Sequence, residues 1–236
     1  MDQKSQVSSR GFIIGAGILL TCLGLWFYGL FFAISETHQG EVYRIIYLHV
    51  PSAFTCFFCA LVLFLFSLNG LFGKPNSLLV GKATSEVGLL FTVITLATGS
   101  IWGKPTWGVW WTWDARLTTT FILSLLYCGY LLLWSAMQPG SGRVKVCSIL
   151  GILIFADVPI IYKSVTWWRT LHQPPSILRE SGPTMAPQIL YLLLACSFAV
   201  ICLSVWMIWI RVQNLKLEEE LNKASYRQLE EQEASL

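Results

Sequence analysis

The sequence predicts an all-α, polytopic integral membrane protein of six transmembrane helices, with a Trp-rich loop on one side of the bilayer. Three observations predict it. Of 236 residues, 55% are hydrophobic and only 12% charged, against about 25% charged in an ordinary globular protein, and mean hydropathy is +0.60. Six stretches each supply the roughly 20 mainly apolar residues that a helix needs to cross about 30 Å of hydrocarbon. Charge also gathers at one end: positions 211–236 hold four of the 16 Lys and Arg and six of the 13 Asp and Glu. The expected organisation is a six-helix membrane domain over 1–210 and a polar helical tail over 211–236. A net charge of +3, dispersed in this way, gives no nucleic-acid patch.

The first span, 11–34, follows Lys4 and Arg10. Its apolar run exceeds the about 7 to 15 residues of a signal-peptide h-region, so it reads as a retained anchor. The second, 45–72, opens on YRIIYLHVP, and the third, 83–102, carries Thr92, Thr95 and Thr98 as a polar stripe. The fourth covers 117–137. The fifth, 146–162, is shortest because Asp157 and Pro159 are expected to interrupt it, and the sixth covers 187–210. An even number of spans places both termini on one side. With the ends inside, inner segments carry ten Lys or Arg and outer segments six. That difference favours cytoplasmic ends, although four of the ten lie in the tail. The outer segments are then 35–44, 102–116 and 163–186, and all three His and seven of the 11 Trp fall in or beside them. The tail has helix-forming composition, with Leu217 and Leu221 at i, i+4, but lacks sustained heptads; it reads as a solvated or partner-contacting helix.

Seven Cys all lie in or at the edge of apolar spans. Cys56 and Cys59 form a CxxC inside AFTCFFCALVLF, where small apolar packing residues are the expected role rather than redox chemistry. The absence of CxxCH excludes covalent haem attachment of the c type, and zinc-type Cys and His spacing is missing.

The segment 102–118, WGKPTWGVWWTWDARLT, concentrates Trp102, Trp107, Trp110, Trp111 and Trp113 in 12 positions. An aromatic belt at the membrane interface needs fewer. Gly103, Pro105 and Gly108 argue against a continuous helix here, so the indoles are expected to line an irregular, partly apolar surface suited to a large flat ligand. Arg116 can hold a carboxylate in a two-pronged hydrogen bond, with Asp114 orienting it or pairing with it. His49 sits about one turn inside the second span, just before Pro51; His172 lies in VTWWRTLHQPPS beside Trp167 and Trp168, with Pro174 and Pro175 ending any helix. Neutral imidazole is a good iron ligand, and two of them beside a Trp-lined wall suit a haem held between axial His. His38, in SETHQG, reads as solvated. Asp157 near mid-span is costly unless protonated or turned to the bundle interior beside hydroxyls such as the Thr stripe.

The segments YRIIYLHVP (43–51), TGSIWGKPTWGVWWTWDARLT (98–118) and PIIYKSVTWWRTLHQP (159–174) resemble the cytochrome c maturation protein C family, CcmC, of the Trp-rich "WWD" haem-handling superfamily. The likeness runs through about residue 210 and leaves out the tail. It implies a multi-pass protein of the bacterial inner membrane, or the mitochondrial one, with both termini cytoplasmic and the Trp-rich loop facing the periplasm or intermembrane space. It implies non-covalent b-type haem with His49 and His172 as axial ligands, and with Trp102, Trp107, Trp110, Trp111, Trp113, Asp114 and Arg116 at the matching loop positions. Arg116, and secondarily Arg44, are expected to meet the haem propionates. The implied partners are the periplasmic haem chaperone CcmE, which receives the haem, the small membrane protein CcmD, and the ABC-type pair CcmA and CcmB. No P-loop is present in the sequence, so ATP hydrolysis would belong to a partner. The expected role is haem transfer without a catalytic site of the chain's own. A bis-His membrane b-type cytochrome in electron transfer is the alternative, and a small-molecule permease is a weaker one resting on Asp157.

Overall fold

The structure, a computed structural model, describes residues 3–73, 77–173, 176, 177 and 182–234. It is all-helical: α1 (Gln3–Phe31), a 3-10 turn (Glu41–Ile45), α2 (Ile46–Leu71), α3 (Ser77–Trp107), α4 (Ala115–Ala136), α5 (Ser141–Trp167) and α6 (Pro187–Ala234). Among the described residues the only β pairing is an isolated bridge between Glu36 and Gly40. Six helices are long and apolar enough to cross a membrane, as the six apolar stretches require, and the chain is a multi-pass membrane protein.

α2 is the hub. It packs against α3, α5 and α6, while α4 closes the ring against α3 and α5. Its inward residues Cys56, Cys59, Ala60 and Leu63 are fully buried, and the Tyr127 hydroxyl on α4 donates to the Cys56 carbonyl at 3.1 Å. All seven Cys are free thiols, and five are buried, which matches their expected use as small packing residues. α1 stands at the edge and packs mainly on α6. There Gly15 leaves the room that the Trp206 ring occupies, and Trp206 Nε1 donates to the Gly11 carbonyl at 2.9 Å. Without a hydrophobic driving force between helices in lipid, such close approach at small residues supplies the packing.

Two expectations about helix breaks are corrected. α5 runs unbroken from Ser141 to Trp167 through both Asp157 and Pro159. Pro159 removes one i to i−4 bond, but inside a bundle that loss does not end a helix. α3 likewise continues through Gly103 and Pro105 to Trp107. It stops at Gly108, whose positive φ of 80° is a backbone conformation that residues with a Cβ rarely adopt. The Trp-rich connection is therefore only seven residues of loop, 108–114, set on the last turn of α3. The expected helix-ending pair Pro174 and Pro175 lies outside the described residues. α6 passes position 210 without a break and projects as an exposed helix beyond Leu215.

Asp157 is 7% exposed and faces the bundle interior. Its Oδ2 has no hydrogen-bond partner among the described residues, and the Thr stripe bonds elsewhere: Thr92, Thr95 and Thr98 donate to carbonyls of α3 itself.

Candidate functional site

At the end of the bundle that carries the 32–45 and 108–114 connections and residues 168–173, residues of α2, α3, α4 and α5 line an open cavity. Its internal volume is about 200 Å³, and it is open on one side. Ile46, Val50, Ala53, Phe54 and Phe57 of α2, Leu96 and Trp102 of α3, and Ile161 of α5 give it an apolar wall. His49 and His172 are its imidazoles and Arg116 is its guanidinium. Two histidines 123 positions apart in the sequence thus face one space.

Each imidazole is held by its Nδ1. His49 stands on the second turn of α2, where its Nδ1 lies 3.0 Å from Thr98 Oγ1. The Thr98 hydroxyl has the Ile94 carbonyl at 2.7 Å and the Thr95 carbonyl at 3.2 Å as acceptors for its one hydrogen; with the hydrogen on either, the oxygen accepts and the matching His49 tautomer carries its proton on Nδ1. Behind the ring is Gly99, where a Cβ would come within 3.1 Å of His49 Cε1. Trp102 meets the ring edge-on at 5.7 Å, and its Nε1 donates to Gln39 Oε1 at 2.8 Å, which ties α3 to the 32–40 loop.

His172 is held by Asp114, the N-cap of α4. Oδ1 of Asp114 accepts the Leu117 N–H at 2.8 Å, the standard capping bond. Oδ2 accepts from the Thr170 hydroxyl at 2.7 Å and from His172 Nδ1 at 3.0 Å. Trp107 packs on the other side of the His172 ring, with centroids 4.7 Å apart. Burial pushes the Asp114 carboxyl up, but the Leu117 N–H, the Thr170 hydroxyl and His172 outweigh it and leave it below the usual carboxylate range. Burial holds His172 below the ordinary imidazole value, and Asp114 offsets that only in part while Arg116 adds to it. The pair is therefore a carboxylate beside a neutral imidazole at neutral pH. Neither His has a protein partner at Nε2 among the described hydrogen bonds, so that nitrogen's lone pair is left for a ligand.

Arg116 lines the same cavity. Its Nη2 reaches the Tyr162 carbonyl only at 3.5 Å, and its buried Nε has no partner, which suits it to receive an anion. Asp114 hydrogen-bonds His172 and makes no ion pair with Arg116 among the described residues. Arg44 does not line the cavity: it pairs with Glu41 and donates to the Phe31 carbonyl at 3.2 Å. His38 is exposed, as a solvated loop residue should be.

The five clustered Trp are divided. Trp102 lines the cavity and Trp107 supports His172. Trp110 and Trp113 are exposed, and Trp111 is half-buried in an edge-to-face group with Trp113 and Phe121 outside the cavity. Sequence reasoning missed Thr98 as a partner of His49, as well as Gly99, Gln39 and Thr170. Thr98 lies at the end of a visible Thr stripe, but nothing local says that the stripe meets His49.

A family model described as "Heme exporter protein C" matches residues 4–227. A protein of that name from Haemophilus influenzae is 36% identical over 218 residues, covering 89% of this chain and 83% of its own. One from Bradyrhizobium diazoefficiens is 33% identical over 224 residues, 94% of this chain and 82% of its own. A "Putative cytochrome c biosynthesis ccmC-like mitochondrial protein" from Marchantia polymorpha is 40% identical over 166 residues, 70% of each chain.

Proposed function

The chain belongs to the Heme exporter protein C family, and from that premise we propose that it handles haem for cytochrome c maturation, holding it in this cavity between His49 and His172 and presenting it to the chaperone CcmE. The observation that carries the reading is the pair of imidazoles on one apolar cavity, each with Nδ1 occupied by a protein acceptor and Nε2 unpartnered. An acceptor on Nδ1 fixes the tautomer and ring orientation that leave Nε2 to bind a metal. The haem is non-covalent, b-type cargo. Arg116 binds a propionate through its free guanidinium edge, Trp102 and the α2 wall exclude water from the ring, and Trp107 keeps His172 in place. The exposed Trp110 and Trp113 and the neighbouring Trp111 form the edge that an acceptor approaches.

Two axial His keep dioxygen off the iron during transfer, and the open mouth leaves one side of the macrocycle reachable. The chain supplies binding and orientation, and bond formation belongs to the acceptor. In this reading it sits in the bacterial inner membrane with both termini and the 211–236 tail in the cytoplasm, beside CcmD and the ABC-type CcmA and CcmB.

The test is transfer. Purified protein carries a six-coordinate haem spectrum that His49→Ala and His172→Ala each convert, and mixing with CcmE moves the haem. The double variant Trp110→Ala/Trp111→Ala inserts normally but delivers haem more slowly. Haem that stays in place while a quinol reduces it rapidly supports the electron-transfer cytochrome instead. Unchanged spectra in both His variants refute the ligand assignment.

A further inference from the structure

We infer that the two histidines are unequal iron ligands: Asp114 makes His172 the strong, retaining ligand, whereas Thr98 leaves His49 the weaker one, which opens first. The inference rests on the haem-holding reading above and concerns what sits behind each imidazole.

Both rings give their Nδ1 proton to an oxygen at 3.0 Å, but the oxygens differ in kind. Behind His172 is a carboxylate, 9% exposed, whose other bonds come from the Thr170 hydroxyl, the Leu117 N–H and, at 3.4 Å, the Leu171 N–H. Among the described residues no Lys or Arg lies within ion-pair distance of Asp114, and its one ion-pair contact is His172. His172 is thus the ionisable side chain that Asp114 touches directly. A carboxylate draws the Nδ1 proton toward itself, raises electron density at Nε2 and favours the more positive ferric ion. Behind His49 are neutral oxygens only, the Thr98 hydroxyl, whose own hydrogen goes to a backbone carbonyl of α3, and the Thr95 carbonyl, which orient the ring and add less density than a carboxylate. Each ring also has an indole edge-on beside it, Trp107 at 4.7 Å from His172 and Trp102 at 5.7 Å from His49, so the inequality lies in the oxygens.

When an external donor replaces an axial ligand, the iron to His49 Nε2 bond breaks and a bond to the incoming donor forms on that face. The imidazole leaves neutral with its Nδ1 proton, and no electron is transferred. Asp114 and Thr98 act through the ligands, as positioning residues.

The experiment uses the full-length protein loaded with haem and reads the iron–imidazole stretch of the ferrous form by resonance Raman. In His49→Gly, with His172 alone, the frequency is expected above that of His172→Gly, with His49 alone. Asp114→Asn, which keeps a good N-cap for α4, lowers it in the first background and leaves it unchanged in the second. Haem loss to apomyoglobin is about tenfold faster from His172→Gly than from His49→Gly, the low end of what outer-shell partners contribute.

With both histidines present, Asp114→Asn lowers the ferric-over-ferrous affinity ratio about tenfold, or ~59 mV upward in potential for one electron, and Thr98→Val does so by a smaller factor. This arm needs neither glycine variant to accumulate. Equal frequencies and loss rates, or an equal effect of Asp114→Asn in both backgrounds, overturn the inequality while leaving haem binding intact. Spectra that depend on neither His defeat the haem reading itself, and the inference with it.

Discussion

Gly99 and Thr98 show how closely the site depends on single atoms. A Cβ at position 99 would meet His49 Cε1 at 3.1 Å, tighter than ordinary van der Waals contact, and a β-branched side chain could not move aside. Gly99→Val should therefore tilt the His49 ring away from Thr98 and weaken haem binding by about tenfold, with Gly99→Ala intermediate. Titration of the purified apoprotein with haem checks this, and wild-type affinity in Gly99→Val would mean that the ring tolerates displacement. Residue types made His49, His172, Trp102 and Arg116 legible in the sequence, since imidazole, indole and guanidinium each suggest a role in binding haem. Threonine and glycine suggest none, because their function here is a matter of what they touch. Arg44 shows the converse: a cation of the right kind in the right segment, but turned to Glu41 and the Phe31 carbonyl.

Helix α1 is attached mainly through one face of α6, so its stability rests on a few close contacts. Gly15→Leu places a side chain where the Trp206 ring lies, and overpacking of this sort costs about 1–3 kcal/mol. The expected result is a lower midpoint of thermal unfolding in detergent, partly restored by Trp206→Ala in the same chain, since adjacent substitutions are coupled. Additive losses would show that the two residues do not share one contact. The ends of α3 and α5 were the elements least legible in the sequence. Pro105 and Pro159 look like breaks when helices are judged one at a time. In a bundle, neighbouring helices hold the axis and the missing hydrogen bond is tolerated.

At the scale of the molecule, the site end and the opposite end are secured differently. Far from the cavity, Arg211 of α6 reaches Glu86 of α3 with two nitrogens, at 2.6 and 3.1 Å, and Glu218 with a third at 2.9 Å. Arg211→Ala should destabilise the bundle by about 1 kcal/mol, the upper range for a partly exposed pair. The swap Glu86→Arg with Arg211→Glu should recover part of that loss, whereas recovery by neither orientation would assign the effect to packing of the Arg stem. Beyond Leu215 the described side chains of α6 are exposed, so a chain ended after Glu218 should keep the unfolding midpoint and haem affinity of the full protein. A drop in either would reveal a contact of the tail with the bundle.

The sequence by itself determined the number of spans, the all-helical class and the pool of site residues. Apolar run length is a local property, and so is the concentration of Trp and His in particular segments. Only the tertiary structure decided which atoms meet. His49 and Thr98 are 49 positions apart, and His172 and Asp114 are 58 apart, so each pairing depends on how one element is rotated against another. That rotation is set by the packing of whole helices, through contacts such as Tyr127 of α4 against Cys56 of α2 and Trp206 of α6 against Gly11 of α1. It therefore determines which oxygen stands behind each imidazole, and no local pattern in the chain encodes it.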